Sequence, residues 1–183
     1  MANSSVWQQL KQQMNTSAII PRTAAARRWY GQVINSVQIP TNRSNILNDP
    51  TRATGHAVIG RMYAFHYDAK HKDTLPMWDM FPLCLPMELY QDSFLGINLH
   101  YLPPGQRLAL LELLSDFLTN QRYDDSTRFK LQYDVLQGIK KYDLFKPCVH
   151  KYLFEHLRSS MVYIEPDFWD LACLLPFQRF QYN

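Results

Sequence analysis

Hydrophobic positions along the chain change period several times, and each change marks an element. Between residues 59 and 67, Met62, Ala64 and His66 alternate with Tyr63, Phe65 and Tyr67, as the two faces of one strand do. A turn is expected over residues 68–73, a Pro-flanked strand over 81–86 and another strand over 95–101. Gly96 inside that last run predicts a bulge or a close backbone approach. Tyr63, Phe65, Phe81 and Leu99 are expected in or beside the resulting sheet.

Helical spacing governs much of the remainder. Val6, Leu10 and Met14 predict a short helix over residues 5–14, with a Gln-rich polar side. Thr23 is placed to cap a second helix with a stripe of Ala26, Tyr30, Val33, Ile34 and Val37. Residues 38–57 have little periodicity and many Asn, Thr, Ser, Arg and Pro, the pattern of an extended loop or arm. Pro104 opens a helix with Leu110, Leu113, Leu114 and Phe117 on one face and Arg107, Glu112 and Asp116 off it. Over 128–138 two patterns overlap: Phe129, Leu131, Tyr133 and Val135 alternate like a strand, whereas Leu131, Val135 and Leu136 suit a helix. A strand running into a short helix is expected there. Pro147 reads as the start of another helix, with Val149, Tyr152, Leu153, His156 and Leu157 as its stripe. Residues 161–164 form a last strand, and Pro166 begins a short helix through Leu174 that Pro176 halts. The prediction is one α+β domain over 1–183, a small aromatic-rich antiparallel sheet or partly closed barrel flanked by helices. Residues 1–20 are its docking element and 38–57 its arm.

Bulk properties narrow the class. At 183 residues with 46% hydrophobic and 19% charged positions, the chain suits one globular domain. No apolar run approaches the roughly 20 residues of a membrane span, and the first residues lack the basic and apolar regions of a secretory signal. Synthesis in the cytoplasm, without membrane association, is expected. Charge is uneven: residues 1–75 hold nine Lys/Arg against three Asp/Glu, a balance of +6, and residues 76–183 hold ten against thirteen, a balance of −3. The basic front either meets a polyanion or pairs with acidic rears of neighbouring copies.

Candidate chemistry is sparse. Cys84, Cys148 and Cys173 are too widely spaced for a zinc or redox motif and read as reduced thiols. His66, Asp68, His71 and Asp73 are metal-capable but read as a strand end and turn. Cys148 and His150 could pair as nucleophile and base only if they shared a face, which a helix denies them. No Walker loop, nucleophile elbow or dinucleotide fingerprint is present, so neither cofactor nor catalytic residue is expected. Arg22, Arg27, Arg28, Arg43, Arg52, Arg61, Lys70 and Lys72 interleave with Trp29, Tyr30 and Tyr63. Such residues neutralise phosphates and stack on bases, or form subunit contacts.

Several segments together resemble a family of contractile-tailed phage virion proteins known as DNA end protector proteins. They are Ala26-Arg27-Arg28-Trp29-Tyr30, Gly60 to Tyr67 with Asp68 and Lys70, Leu75-Pro76, Asp79, Phe81-Pro82, Phe94-Leu95-Gly96-Ile97-Asn98 and His100-Tyr101-Leu102-Pro103. Tyr123-Asp124-Asp125, Lys146-Pro147-Cys148, Tyr152-Leu153, Trp169 and Leu175-Pro176 extend the likeness over residues 24–180. The resemblance implies a virion component without enzymatic activity, whose partners are other virion proteins, further copies of itself in a ring or repeated array, and DNA. The role expected from it is structural, at the head–tail junction or in the tail or baseplate, because +6 is modest for a dedicated DNA clamp. Binding of genome ends during packaging is the alternative.

Overall fold

The computed structural model describes Gln8 and residues 23–36, 48–174 and 178–183. Apart from Gln8, the expected helix over 5–14 lies outside these residues, as does the first half of the expected arm, residues 38–47. Within them the protein is α+β. Strands β1 (Ala53–Thr54), β2 (Met62–Ala64), β4 (Leu83–Leu89), β5 (Ser93–Asn98), β6 (Val149–Leu153) and β7 (Met161–Ile164) form one sheet in the order β1-β7-β2-β4-β5-β6. Its neighbours are antiparallel, and it stays an open sheet rather than closing into a barrel. Strands β3 (Met77–Asp79) and β8 (Phe180–Tyr182) pair separately. Helices α1 (Ala24–Ser36), α2 (Pro104–Thr119), α3 (Asp125–Ile139) and α4 (Trp169–Leu174) complete the fold.

Side-chain alternation divides the large sheet into two chemically different faces. Met62, Ala64, Leu83, Leu85, Met87 and Ile97 belong to an aliphatic core shared with Leu108, Leu111, Leu114, Leu136 and Trp169 of the helices. Tyr63, Phe65, Cys84, Phe94 and Tyr152 belong to a second, aromatic cluster with Tyr67 and Met161. Phe65 packs edge-on to Phe94 and Tyr152 at centroid distances of 5.9 and 5.3 Å, a favoured ring geometry. Leu99 is buried in the aliphatic core, whereas Phe81 is half-buried and stacks on His66 at 4.8 Å.

Gly96 fulfils both expectations set for it. A Cβ there would overlap the Cys84 sulfur, and the β4–β5 register shifts between Pro86 and Glu88 opposite it. Thr23 caps α1 as expected, its Oγ1 accepting the Ala26 N–H at 3.0 Å.

Three local expectations are corrected. Residues 128–138 lie within a helix, α3, because Asp124 caps it through the Thr127 N–H at 2.7 Å. Gln132, Leu136 and Ile139, one helical face, turn inward, while Phe129 and Tyr133 stack on one another outside. The expected helix after Pro147 is instead a 3₁₀ turn (Lys146–Cys148) followed by β6. There the ladder to β5 overrides an i, i+3, i+4 spacing shared by chance with a strand. In α2, Arg107 is fully buried and Leu113 is exposed, because a helix wedged between the sheet, α3 and α4 buries more than one stripe. The strands β3 and β8 are additional to those expected. Among the described residues no helix is long and apolar enough to cross a membrane.

Candidate nucleic-acid interface

Among the described residues, the basic positions singled out in the sequence do not converge on one place. Arg22 and Arg43 lie outside the described residues. Arg27 and Arg28 sit on α1, where Arg28 is exposed and the neighbouring Trp29 packs against the aliphatic core. Arg52 and Arg61 precede β2, and Lys70 and Lys72 follow it, so the two pairs lie on opposite sides of that strand along the chain, and Arg61 and Lys70 line different clefts.

Around the first pair the cations are already engaged. Arg52 donates to Asp49 and to Glu165, each at 3.2 Å, and its guanidinium lies 4.9 Å from the Phe168 ring centroid. Arg61 lies 5.1 Å from the centre of Tyr163. It lines a 360 Å³ cleft with Gly60, Arg128, Phe129 and Gln132. Arg128 is held by the Asn120 carbonyl at 3.0 and 3.2 Å and by Asp125 at 3.1 Å. Gly60 adopts φ of 77°, the left-handed region, and its carbonyl accepts from the Gln132 amide. Arg52 and Arg128 are thus neutralised by carboxylates, while Arg61 lies over a ring.

Around the second pair, a 580 Å³ cleft opens between β3 and β6, lined among others by Lys70, His71, Trp78, Tyr101, Lys151 and Tyr152. An adjoining 420 Å³ hollow shares Tyr67 and Trp78 and adds His66, Lys72 and Arg158. Asp68 receives Lys72 at 3.0 Å and Arg158 at 3.3 Å. The Lys72 bond, then that of Arg158, holds its carboxyl below the usual range. Two cations on one carboxylate leave positive charge over. Lys151 stands 5.1 Å from the Tyr90 ring centre, and Arg179 5.3 Å from that of Phe81. The Ser93 hydroxyl, helped by Lys151 and Lys70, lowers the pKa of Asp92 at the same rim.

The floor of the larger cleft is a buried polar knot. Asp79 Oδ2 accepts from the Asn98 amide at 3.0 Å and meets His100 Nδ1 at 2.6 Å. Its Oδ1 accepts the N–H groups of Phe81 at 3.1 Å and Arg179 at 3.2 Å. Burial opposes its charge, but His100 and these donors prevail and hold the carboxyl below its ordinary value. Burial, reinforced by Arg107 and opposed by Asp79, lowers His100, so a neutral imidazole donates through Nδ1. The knot joins β3, β5, the turn after β5 and the residue before β8, and thereby sets the cleft walls.

The other sequence candidates are dispersed. His66 stacks on Phe81, while Asp68 is taken by Lys72 and Arg158. Among the described residues no three His, Cys, Asp or Glu side chains gather as metal ligands. Cys84 and Cys148 are buried, and burial followed by the Asp79 charge pushes the Cys84 thiol well up. Cys148 Sγ points to the Leu144 carbonyl at 3.8 Å, whereas the His150 ring lies 4.3 Å from Tyr101 in the cleft wall. Trp78, Lys151, Arg158 and Arg179 were not foreseen. Recognising β6 as a strand would have brought Lys151 to the rim, but a three-residue strand around Trp78 carries no period to read.

No curated protein and no solved structure matches the chain. A family model described as the phage T4 terminal DNA protecting protein matches residues 2–183, nearly the whole length. The chain belongs to that family.

Proposed function

We propose that this protein binds the ends of linear phage DNA and shields them from exonucleases by occupying them, with no catalytic step of its own. The observation that carries this reading is the family match over residues 2–183. It favours end protection over the tail or baseplate role preferred on charge balance alone. The lysine- and aromatic-lined clefts support it, since phosphate neutralisation and ring stacking are two interactions an opened DNA end offers. In this reading the protein travels in the virion with the genome, beside other virion proteins and further copies of itself.

The test is a digestion assay. Linear duplex DNA, with and without the purified protein, is exposed to a processive exonuclease that starts at ends. Protection of at least about tenfold in lifetime is expected at low salt, fading steeply as salt rises because phosphate contacts release counterions. Unchanged digestion at saturating protein overturns the proposal.

A further inference from the structure

The two clefts differ in what surrounds their cations. At the first, Arg52 and Arg128 are paired with carboxylates and Arg61 lies over the Tyr163 ring. At the second, Lys70 and Lys151 rise from different elements, a turn and β6, on the rim of one cleft, and neither forms an ion pair among the described residues. Asp92 stands close enough to feel both, and the floor adds Asp79, so the two lysines face two carboxylates; Asp79 is already occupied by Asn98, His100 and the N–H groups of Phe81 and Arg179, which leaves Asp92 as the nearer counter-charge. Below them the walls are rings. Tyr67 and Tyr152 are locked edge to face at 4.9 Å, and Trp78, only half-buried, faces the same space. A volume of 580 Å³ falls within the range of small-ligand clefts, so it suits one nucleotide and is too small for a duplex.

We infer that this cleft seats an unpaired terminal nucleotide of a DNA end, its base against Trp78 and its phosphate between Lys70 and Lys151. The inference rests on the DNA-end reading above and adds the place and form of the bound end. A flat aromatic wall accepts any base, so recognition is of an end rather than of a sequence. The Asp79 knot ties β3, and with it Trp78, to β5, the strand that pairs with β6.

The experiment uses the full chain and a short duplex with one frayed end carrying 2-aminopurine as its terminal base. The comparison probe is the same duplex closed by hairpin loops at both ends. Wild type is expected to bind the frayed probe about tenfold more tightly than the closed one, and to change the 2-aminopurine emission through stacking. Lys70→Glu with Lys151→Glu should abolish that preference and flatten the salt dependence by a slope of roughly 0.7 to 1.4. Trp78→Leu should remove the emission change. The lysine variants alter only the rim, so a preserved melting temperature shows that they fold. If folded lysine variants keep the end preference, or a free deoxynucleoside monophosphate binds as tightly as the frayed duplex, the inference is overturned while end protection stands. If wild type shows no preference for open ends, the end-protection reading itself fails.

Discussion

The two faces of the central sheet are built from the same strands yet do different work. The aliphatic face is roofed by helices: Leu83, Leu85, Met87 and Ile97 meet Leu108, Leu111, Leu114 and Leu136, all fully or almost fully buried. Methyl groups pack without direction, so this face contributes burial and little else. Among the described residues the aromatic face has no helical roof of this kind, and its cluster runs out to the half-buried Trp78 at the cleft. Rings contribute burial too, but they retain a π-face and a hydroxyl or N–H at the edge, which makes a partly open aromatic surface able to bind. One face therefore carries stability, and the other carries stability at its centre and recognition at its rim.

The sharpest way to break this comparison is at the centre of each face. Phe65→Ala should cost about 3–5 kcal/mol and Leu85→Ala about 2–5 kcal/mol, from lost transfer energy and the cavity left. In a chain of this size each kcal/mol lowers the melting temperature by about 2–4 °C. Both variants, where still folded, should bind DNA normally. An unchanged melt for Phe65→Ala would show that the aromatic face is a partner surface throughout.

A smaller effect is expected at Gly96→Ala, where the new methyl meets the Cys84 sulfur and the Phe94 ring. Overpacking of this kind costs about 1–3 kcal/mol. Chemical denaturation measures it, and pairing the change with Cys84→Ala should recover most of the loss if the sulfur is the obstacle.

The mildest test sharpens the link between the faces and the cleft through pH. His100 is held below its ordinary 6.5 by burial and Arg107, so the unfolded chain takes up a proton that the folded chain resists. Its contribution to stability is full above about pH 6.5 and declines as pH falls below it. Asp79, held below 3.8, adds a second loss once pH falls under about 4. Melting temperature against pH should show both steps, and His100→Gln should remove the upper one and shrink the lower, because the contact with His100 is the largest influence holding Asp79 down.

Much of the fold was legible in local pattern. The alternation from Met62 to Phe65 named both faces of the sheet, Thr23 and Pro104 announced helix starts, and Gly96 announced a close approach. Misreadings arose where one spacing served two periods. Val149 to Leu157 satisfies a helix stripe, yet the open edge of β5 claims it as a strand. Phe129 to Val135 alternates, yet the Asp124 cap and the inward Gln132 and Leu136 commit it to a helix. The site was less legible, because the sequence ranks basic residues by nearness along the chain while the fold carries Arg61 and Lys70 to different clefts.

By itself the sequence determined the α+β class, the two-faced sheet and the family, because period, capping and characteristic residue runs are local properties. Only the tertiary structure decided which cations are engaged and which stand at an open cleft. That depends on carboxylates far along the chain, such as Glu165 beside Arg52 and Asp68 beside Arg158. Charge pairing and cleft formation are long-range, and no local spacing encodes them.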